Sequence, residues 1–223
     1  MVHEVDLTLT TGSSAVSAIV TAPPTPRFVY VLAHGAGAGM RHPFLADVAR
    51  GLAARHAATL RYNFPYMDAR RSRVDSPSVA FESVRAAVEA CRNQFPSLPI
   101  VAGGKSFGGR MTSGAQAERP MAGVVGLAFL GFPLHPPGRP SITRADHLRD
   151  VQVPMLFLQG SRDEFATPEL LQHVIDGLGR LATLSLIEQG DHSFNVPKST
   201  GLTAALVMDR LCDTLAEWAA QHV

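Results

Sequence analysis

Gly104, Lys105, Ser106, Phe107 and Gly108 frame a serine with a glycine two positions to either side. The frame directly follows the apolar run Ile100, Val101, Ala102 and directly precedes a helical pattern. A strand that turns this abruptly into a helix lifts the serine hydroxyl out of the sheet, and strand and helix then approach too closely for side chains at the framing positions. Gly104 and Gly108 remove the collisions, and Gly103 and Gly109 widen the clearance. A serine held this way is a candidate nucleophile for acyl transfer. It attacks a carbonyl only if a base takes its proton and an acid holds the base in the right tautomer.

Both partners are found at strand ends. Gly160, Ser161, Arg162, Asp163, Glu164 and Phe165 follow the apolar run from Met155, and Gly190, Asp191, His192, Ser193 and Phe194 follow the run from Thr183 to Ile187. The expected catalytic residues are Ser106 as nucleophile, His192 as base and Asp163 as acid. A fourth loop, His34 to Gly39, follows the run Phe28 to Ala33, and its small residues let backbone N–H groups face a developing oxyanion. The expected donors are the N–H of Phe107 and an N–H of Ala36 or Gly37.

Other residues compete for these roles. Asp191 adjoins His192, but successive loop side chains diverge, which favours a turn or capping role. Glu164 replaces Asp163 only if its loop is shifted. His34, first in a glycine loop, reads as a hydrogen-bonding support rather than a base. His135, in the stiff loop Phe132 to Gly138, is a candidate for lining the pocket, with a structural role as its alternative, and His147 reads as structural. The remaining histidines have no partners at metal-ligand spacing, so neither a metal nor another cofactor is expected.

The elements that must position these loops alternate along the chain. Val5, Leu7 and Leu9 alternate with polar residues, Gly12, Ser13 and Ser14 turn the chain, and a second alternating run from Ala15 to Thr21 completes a hairpin. The continuous apolar run at 28–33 reads as a strand buried on both faces, and 57–62, 123–130, 155–158 and 183–187 read as further strands. Between them, helical spacing covers 43–55, 78–95, 107–118, 144–150, 168–178 and 202–220, the last with Leu206, Leu211, Leu215 and Trp218 turned inward. The pattern predicts an α/β fold: a mostly parallel, doubly wound sheet with an N-terminal antiparallel hairpin and helices on both faces, in one domain over residues 1–223. In such sheets the functional groups gather at the carboxyl ends of the strands.

Composition narrows the classes of partner. Among 223 residues, 20 Lys+Arg against 19 Asp+Glu give a net charge of +1, so no global field favours nucleic acid or an anionic membrane. Arg70, Arg71 and Arg73 form the one basic cluster, either solvated loop charges or a grip for an anionic substrate group. Cys91 and Cys212 fall in helical patterns far apart, as small buried residues of a reduced compartment do. With no secretory-type start and no apolar run of about 18 residues, a soluble cytoplasmic protein is expected.

The segments His34–Gly39, Asn63–Phe64–Pro65–Tyr66, Gly103–Arg110, Phe132–Pro140 and Gly160–Phe165 together resemble a small α/β-hydrolase-like family. That family includes testis-expressed hydrolase-like proteins and a regulatory subunit of the NSL histone acetyltransferase complex, and it is related in form to dienelactone hydrolases. The order Ser106, Asp163, His192 is that of the α/β-hydrolases, although this chain has serine where dienelactone hydrolases use cysteine. The resemblance spans essentially the whole chain and implies a serine hydrolase of the carboxylesterase or thioesterase type. The NSL subunit supplies the alternative, an interaction module with weak or lost chemistry.

About two dozen residues separate Leu130 from Met155, too few for a large helical lid. The site is therefore expected to be open and shallow, suited to a small acyl ester or thioester, with Phe64, Tyr66, Phe132 and His135 around the substrate. Lys105 and Arg110, flanking the elbow, are expected to reach solvent or a helix-end carboxylate. The partner expected is this small molecule, without nucleic acid or membrane, and the oligomeric state is left open, a homo-oligomer included.

Overall fold

The computed structural model describes residues 1–12 and 14–222; Ser13, in the expected hairpin turn, lies outside the described residues. Eight strands form one sheet in the order β1-β2-β4-β3-β5-β6-β7-β8. The hairpin strands β1 (His3–Thr11) and β2 (Ser14–Ala22) pair antiparallel, and β2 joins β4 (Ala57–Tyr62) antiparallel. From there β4, β3 (Phe28–Ala33), β5 (Ile100–Lys105), β6 (Val124–Leu130), β7 (Met155–Gly160) and β8 (Ala182–Ile187) run parallel.

The apolar runs form these strands because both sheet faces are covered. Along β3, Val29, Val31 and Ala33 enter one apolar layer and Phe28, Tyr30 and Leu32 the other, the two-residue period of a pleated strand. Helices α1 (Pro43–Ala53) and α6 (Ala204–Ala220) pack on the second layer. On the first lie α3 (Pro77–Gln94), α4 (Phe107–Glu118) and α5 (Pro168–Leu178). A four-residue helix, α2 (Pro65–Asp68), occupies what the sequence suggests is plain loop.

One inward assignment is corrected. Leu206, in the first turn of α6, is 52% exposed, whereas Leu211, Leu215 and Trp218 are buried as expected.

The topology creates the site. The chain passes from β3 outward to β4, then crosses back to β5 on the other side of β3, so the strand order reverses between β3 and β5. Loops leaving the carboxyl ends of these two strands diverge and open a crevice. His34–Gly39 and Ser106 stand at its two sides. Between β6 and β7 the chain carries only a proline-rich loop and a 3₁₀ helix, Thr143–Asp150, so no lid covers the crevice. His147 of that helix lies 2.7 Å from Ser113 Oγ and ties it to α4.

Candidate active site

Ser106 has φ 50° and ψ −114°, a left-handed backbone rarely adopted by residues with a side chain, and α4 starts at the next position. The framing glycines make this turn possible. A Cβ at Gly108 would sit 2.6 Å from the His34 carbonyl oxygen, and one at Gly104 would overlap that of Ala33. Gly103 does more than widen the clearance, because a Cβ there would overlap the Ala128 carbonyl oxygen on β6. The strained serine is thus held where three backbone segments leave no alternative packing.

The structure brings Ser106, Asp163 and His192 together. His192 Nε2 lies 2.9 Å from Ser106 Oγ, and His192 Nδ1 lies 2.7 Å from Asp163 Oδ2. With Nδ1–H donating to the carboxylate, the Nε2 lone pair is free to accept the serine O–H. The Asp163 side chain is fully buried, and a buried carboxylate needs its lone pairs occupied. Gln159 Nε2 donates to Oδ2 at 2.6 Å and the Phe165 N–H donates to Oδ1 at 2.8 Å. Sequence reasoning passed over Gln159, whose one signal is a polar residue at the end of an apolar strand. Its Oε1 also accepts the Phe132 N–H at 2.8 Å, which fastens the loop after β6 to the acid.

The competing acids and bases have other work. Asp191 Oδ1 accepts the N–H groups of Ser193 and Asn195, both at 2.8 Å, and Oδ2 accepts from Asn195 Nδ2, so it shapes the His192 loop. Glu164 is exposed. His34 is fully buried, donates from Nδ1 to the Gly35 carbonyl at 2.7 Å and accepts the Phe64 N–H at Nε2 at 3.1 Å. Burial pulls its pKa down to about 4, so it is a neutral brace.

Lys105 departs from expectation. Its ammonium turns inward and donates to the His192 carbonyl oxygen at 2.7 Å, with the Phe194 ring centroid 5.6 Å away. Gly131 leaves the space, since a Cβ there would lie 2.9 Å from Nζ. Burial lowers the Lys105 pKa to about 8, against the opposing pull of Asp163 and Asp191. Arg110 is half-buried near Arg144, with its pKa lowered by burial.

Of the expected oxyanion donors, Gly37 is already engaged: its N–H donates to Tyr66 Oη at 3.0 Å. The N–H groups of Ala36 and Phe107 make no hydrogen bond among the described residues. Both flank Ser106, one from the loop after β3 and one from the start of α4. These two amides can receive a negative oxygen.

The four expected substrate contacts are corrected. Phe64, Tyr66, Phe132 and His135 are all at most 1% exposed, packed inside the fold. Phe64 and Tyr66 wedge against His34, and Tyr66 braces Gly37. Phe132 packs edge-on against Phe129 and Phe157. His135 Nδ1 donates to Pro136 O at 2.9 Å. The walls around Ser106 come instead from Phe44, at the start of α1, and from Phe165 and Phe194, two residues beyond Asp163 and His192. Phe165 lies over the His192 ring at 4.3 Å between centroids, and Phe44 and Phe194 stack at 5.9 Å.

Nor is the site shallow. Ser106 opens into a cleft of about 1040 Å³ that continues between α1 and α6. None of Arg70, Arg71 and Arg73 lines it, and Arg71 is paired with the buried Asp75 at 2.6 Å. Among the described residues no three or more His, Cys, Asp or Glu gather as metal ligands do, and no helix is long and apolar enough to cross a membrane.

A lidless, mostly parallel sheet with a serine on a strained strand-to-helix turn defines the class to which the comparisons point. Residues 26–220 match the Alpha/beta hydrolase domain family, and the chain belongs to it. Solved structures share the fold. A dienelactone hydrolase from Anabaena variabilis superposes with a TM-score of 0.80 at 19% identity, covering 100% of this chain and 99% of its own. A serine hydrolase without lid from Xanthomonas campestris gives 0.75 at 22% identity, covering 97% and 95%. The esterase domain of a Rhodothermus marinus protein gives 0.75 at 16%, covering 99% of both chains.

Proposed function

We propose that this chain is a serine hydrolase that cleaves an ester or thioester through an acyl-enzyme. The observation that carries the reading is the hydrogen-bonded series from Ser106 Oγ to His192 Nε2 at 2.9 Å and from His192 Nδ1 to Asp163 at 2.7 Å. Ser106 Oγ attacks the carbonyl carbon while His192 Nε2 takes the hydroxyl proton, and the tetrahedral oxyanion rests on the Ala36 and Phe107 N–H groups. Collapse expels the alcohol or thiol, protonated by His192. A water, deprotonated by the same nitrogen, then releases the acid and restores Ser106. Asp163 keeps the proton on Nδ1 throughout and stabilises the imidazolium, and Gln159 keeps Asp163 in place.

The family and its structural neighbours, with hydrolases and esterases among them, support the same chemistry. The narrower kinship with the testis-expressed and NSL-subunit proteins stays part of this reading, on the motifs that suggested it. We read the site as metal-independent and the protein as cytoplasmic. The test is turnover of a panel of short acyl esters and thioesters. Ser106→Ala and Asp163→Asn should each lower kcat by about 10³-fold or more. A folded parent with no turnover above the Ser106→Ala background would instead favour the interaction module.

A further inference from the structure

The cleft is larger than a small acyl group requires. Its volume of about 1040 Å³ lies at the top of the about 300–1,000 Å³ found for small-molecule sites. It does not stop at the nucleophile. From Ser106 it follows one face of α1, from Phe44 through Gly51 to Ala54, a length of about 15 Å at the helical rise. Met208 and Ala205 of α6 form the opposite side.

The lining is mixed. Near Ser106 the stacked Phe44 and Phe194 rings make an aromatic wall, and along the helices Leu45, Gly51, Ala54, Ala205 and Met208 alternate with Asp47, Arg50, Arg55 and Asp209. The charged groups at the far end are already matched. Arg50 pairs with Asp47, and Arg55 with Asp213 at 2.6 Å and Asp209 at 3.3 Å. At the Ser106 end stands Lys105, which has no carboxylate partner among the described residues and whose ammonium donates to the His192 carbonyl oxygen. Along the helices the charges are paired, so the apolar side chains between them gain free energy from methylene groups.

We infer that the groove between α1 and α6 holds an apolar chain of the substrate, so that the preferred ester or thioester carries an extended, uncharged hydrocarbon portion of about ten carbons. The inference rests on the acyl-transfer reading of Ser106 and deepens it. The groove opens at the reacting serine, so a chain lying in it presents its carbonyl to Ser106, whereas a docked protein segment would have no reason to end there.

Two ester series test it, one lengthening the acyl part of p-nitrophenyl esters and one lengthening the alcohol part of acetate esters, each from two to ten carbons. Ala54→Trp and Ala205→Trp fill the groove from its two sides at exposed positions, and should one fail to fold the other decides. The expected result is a kcat/KM that rises at least about tenfold from the shortest to the longest member of one series, with that ratio falling about tenfold in the variants. The inference is overturned if both series are flat or falling in a parent that is labelled by a fluorophosphonate, or if the variants leave the ratio unchanged. A parent that takes no label overturns the acyl-transfer reading, and the inference with it.

Discussion

The turn that carries Ser106 and the loop that carries His192 meet at one hydrogen bond but are built in opposite ways. At the serine turn, conformation is fixed by what is missing: glycines at 103, 104 and 108 let backbone approach backbone where a Cβ would collide. At the histidine loop it is fixed by what is added. Asp191 gathers two N–H groups, Ser161 Oγ accepts the Gln189 N–H at 2.7 Å, Lys105 holds the His192 carbonyl, and Phe165 covers the imidazole. A steric device is part of the folded core and fails with it. A hydrogen-bonded loop at the surface can lose its geometry while the core stays folded.

The contrast can be broken from both sides. The largest effect is expected at Gly108→Val, which forces a side chain onto the His34 carbonyl: a loss of at least about 3 kcal/mol of stability, together with loss of fluorophosphonate labelling, both read on one sample. A chemical-denaturation series against pH should show the serine side weakening in acid. His34 is held near a pKa of about 4 when folded and reverts to 6.5 when unfolded. The unfolded chain therefore binds the extra proton, and stability is lost as pH falls from about 6.5 toward 4, by about 3 kcal/mol. A slope of the opposite sign in that window would show that His34 is not buried as a neutral brace.

On the histidine side the changes should appear in rate rather than in stability. Asp191→Ala removes the loop's internal acceptors and is expected to lower kcat about 10- to 100-fold, as misplacement of a catalytic group does, with little movement of Tm. Lys105→Met removes the donor that holds the His192 carbonyl oxygen and is expected to cost about tenfold in kcat/KM. If either variant melts as early as Gly108→Val, the two-part description is wrong. The smallest effect belongs to Tyr66→Phe, which leaves the Gly37 N–H without its acceptor for about 1 kcal/mol, measurable by thermal melting with turnover nearly intact.

The same difference explains what could be read in advance. Sterically fixed features leave a local mark: the glycines around Ser106, the small residues after His34 and the apolar runs of the strands are contiguous, and with them the sheet and the elbow are legible. Asp163 and His192 are legible because each follows a strand end. Lys105 is not, because its partner lies 87 residues away and its inward turn depends on the space at Gly131. Gly37 looked available as a donor until Tyr66 was folded against it. The aromatic residues are not told apart for a related reason: Phe64, Tyr66 and Phe132 lie next to functional segments in the chain, and so do Phe165 and Phe194, yet chain proximity says nothing about which face of a loop becomes core. Phe44, Phe165 and Phe194 come together only when α1 and the loops after β7 and β8 have packed.

The most direct measurement is the intact mass of the protein after exposure to a fluorophosphonate, with Ser106→Ala and His192→Ala treated alongside and the adduct located by peptide mapping. The reagent requires an activated serine and oxyanion donors but little recognition of substrate. The account predicts a single adduct on Ser106 in the parent and none in either variant. A folded parent that stays unmodified, or an adduct at another residue, would contradict it.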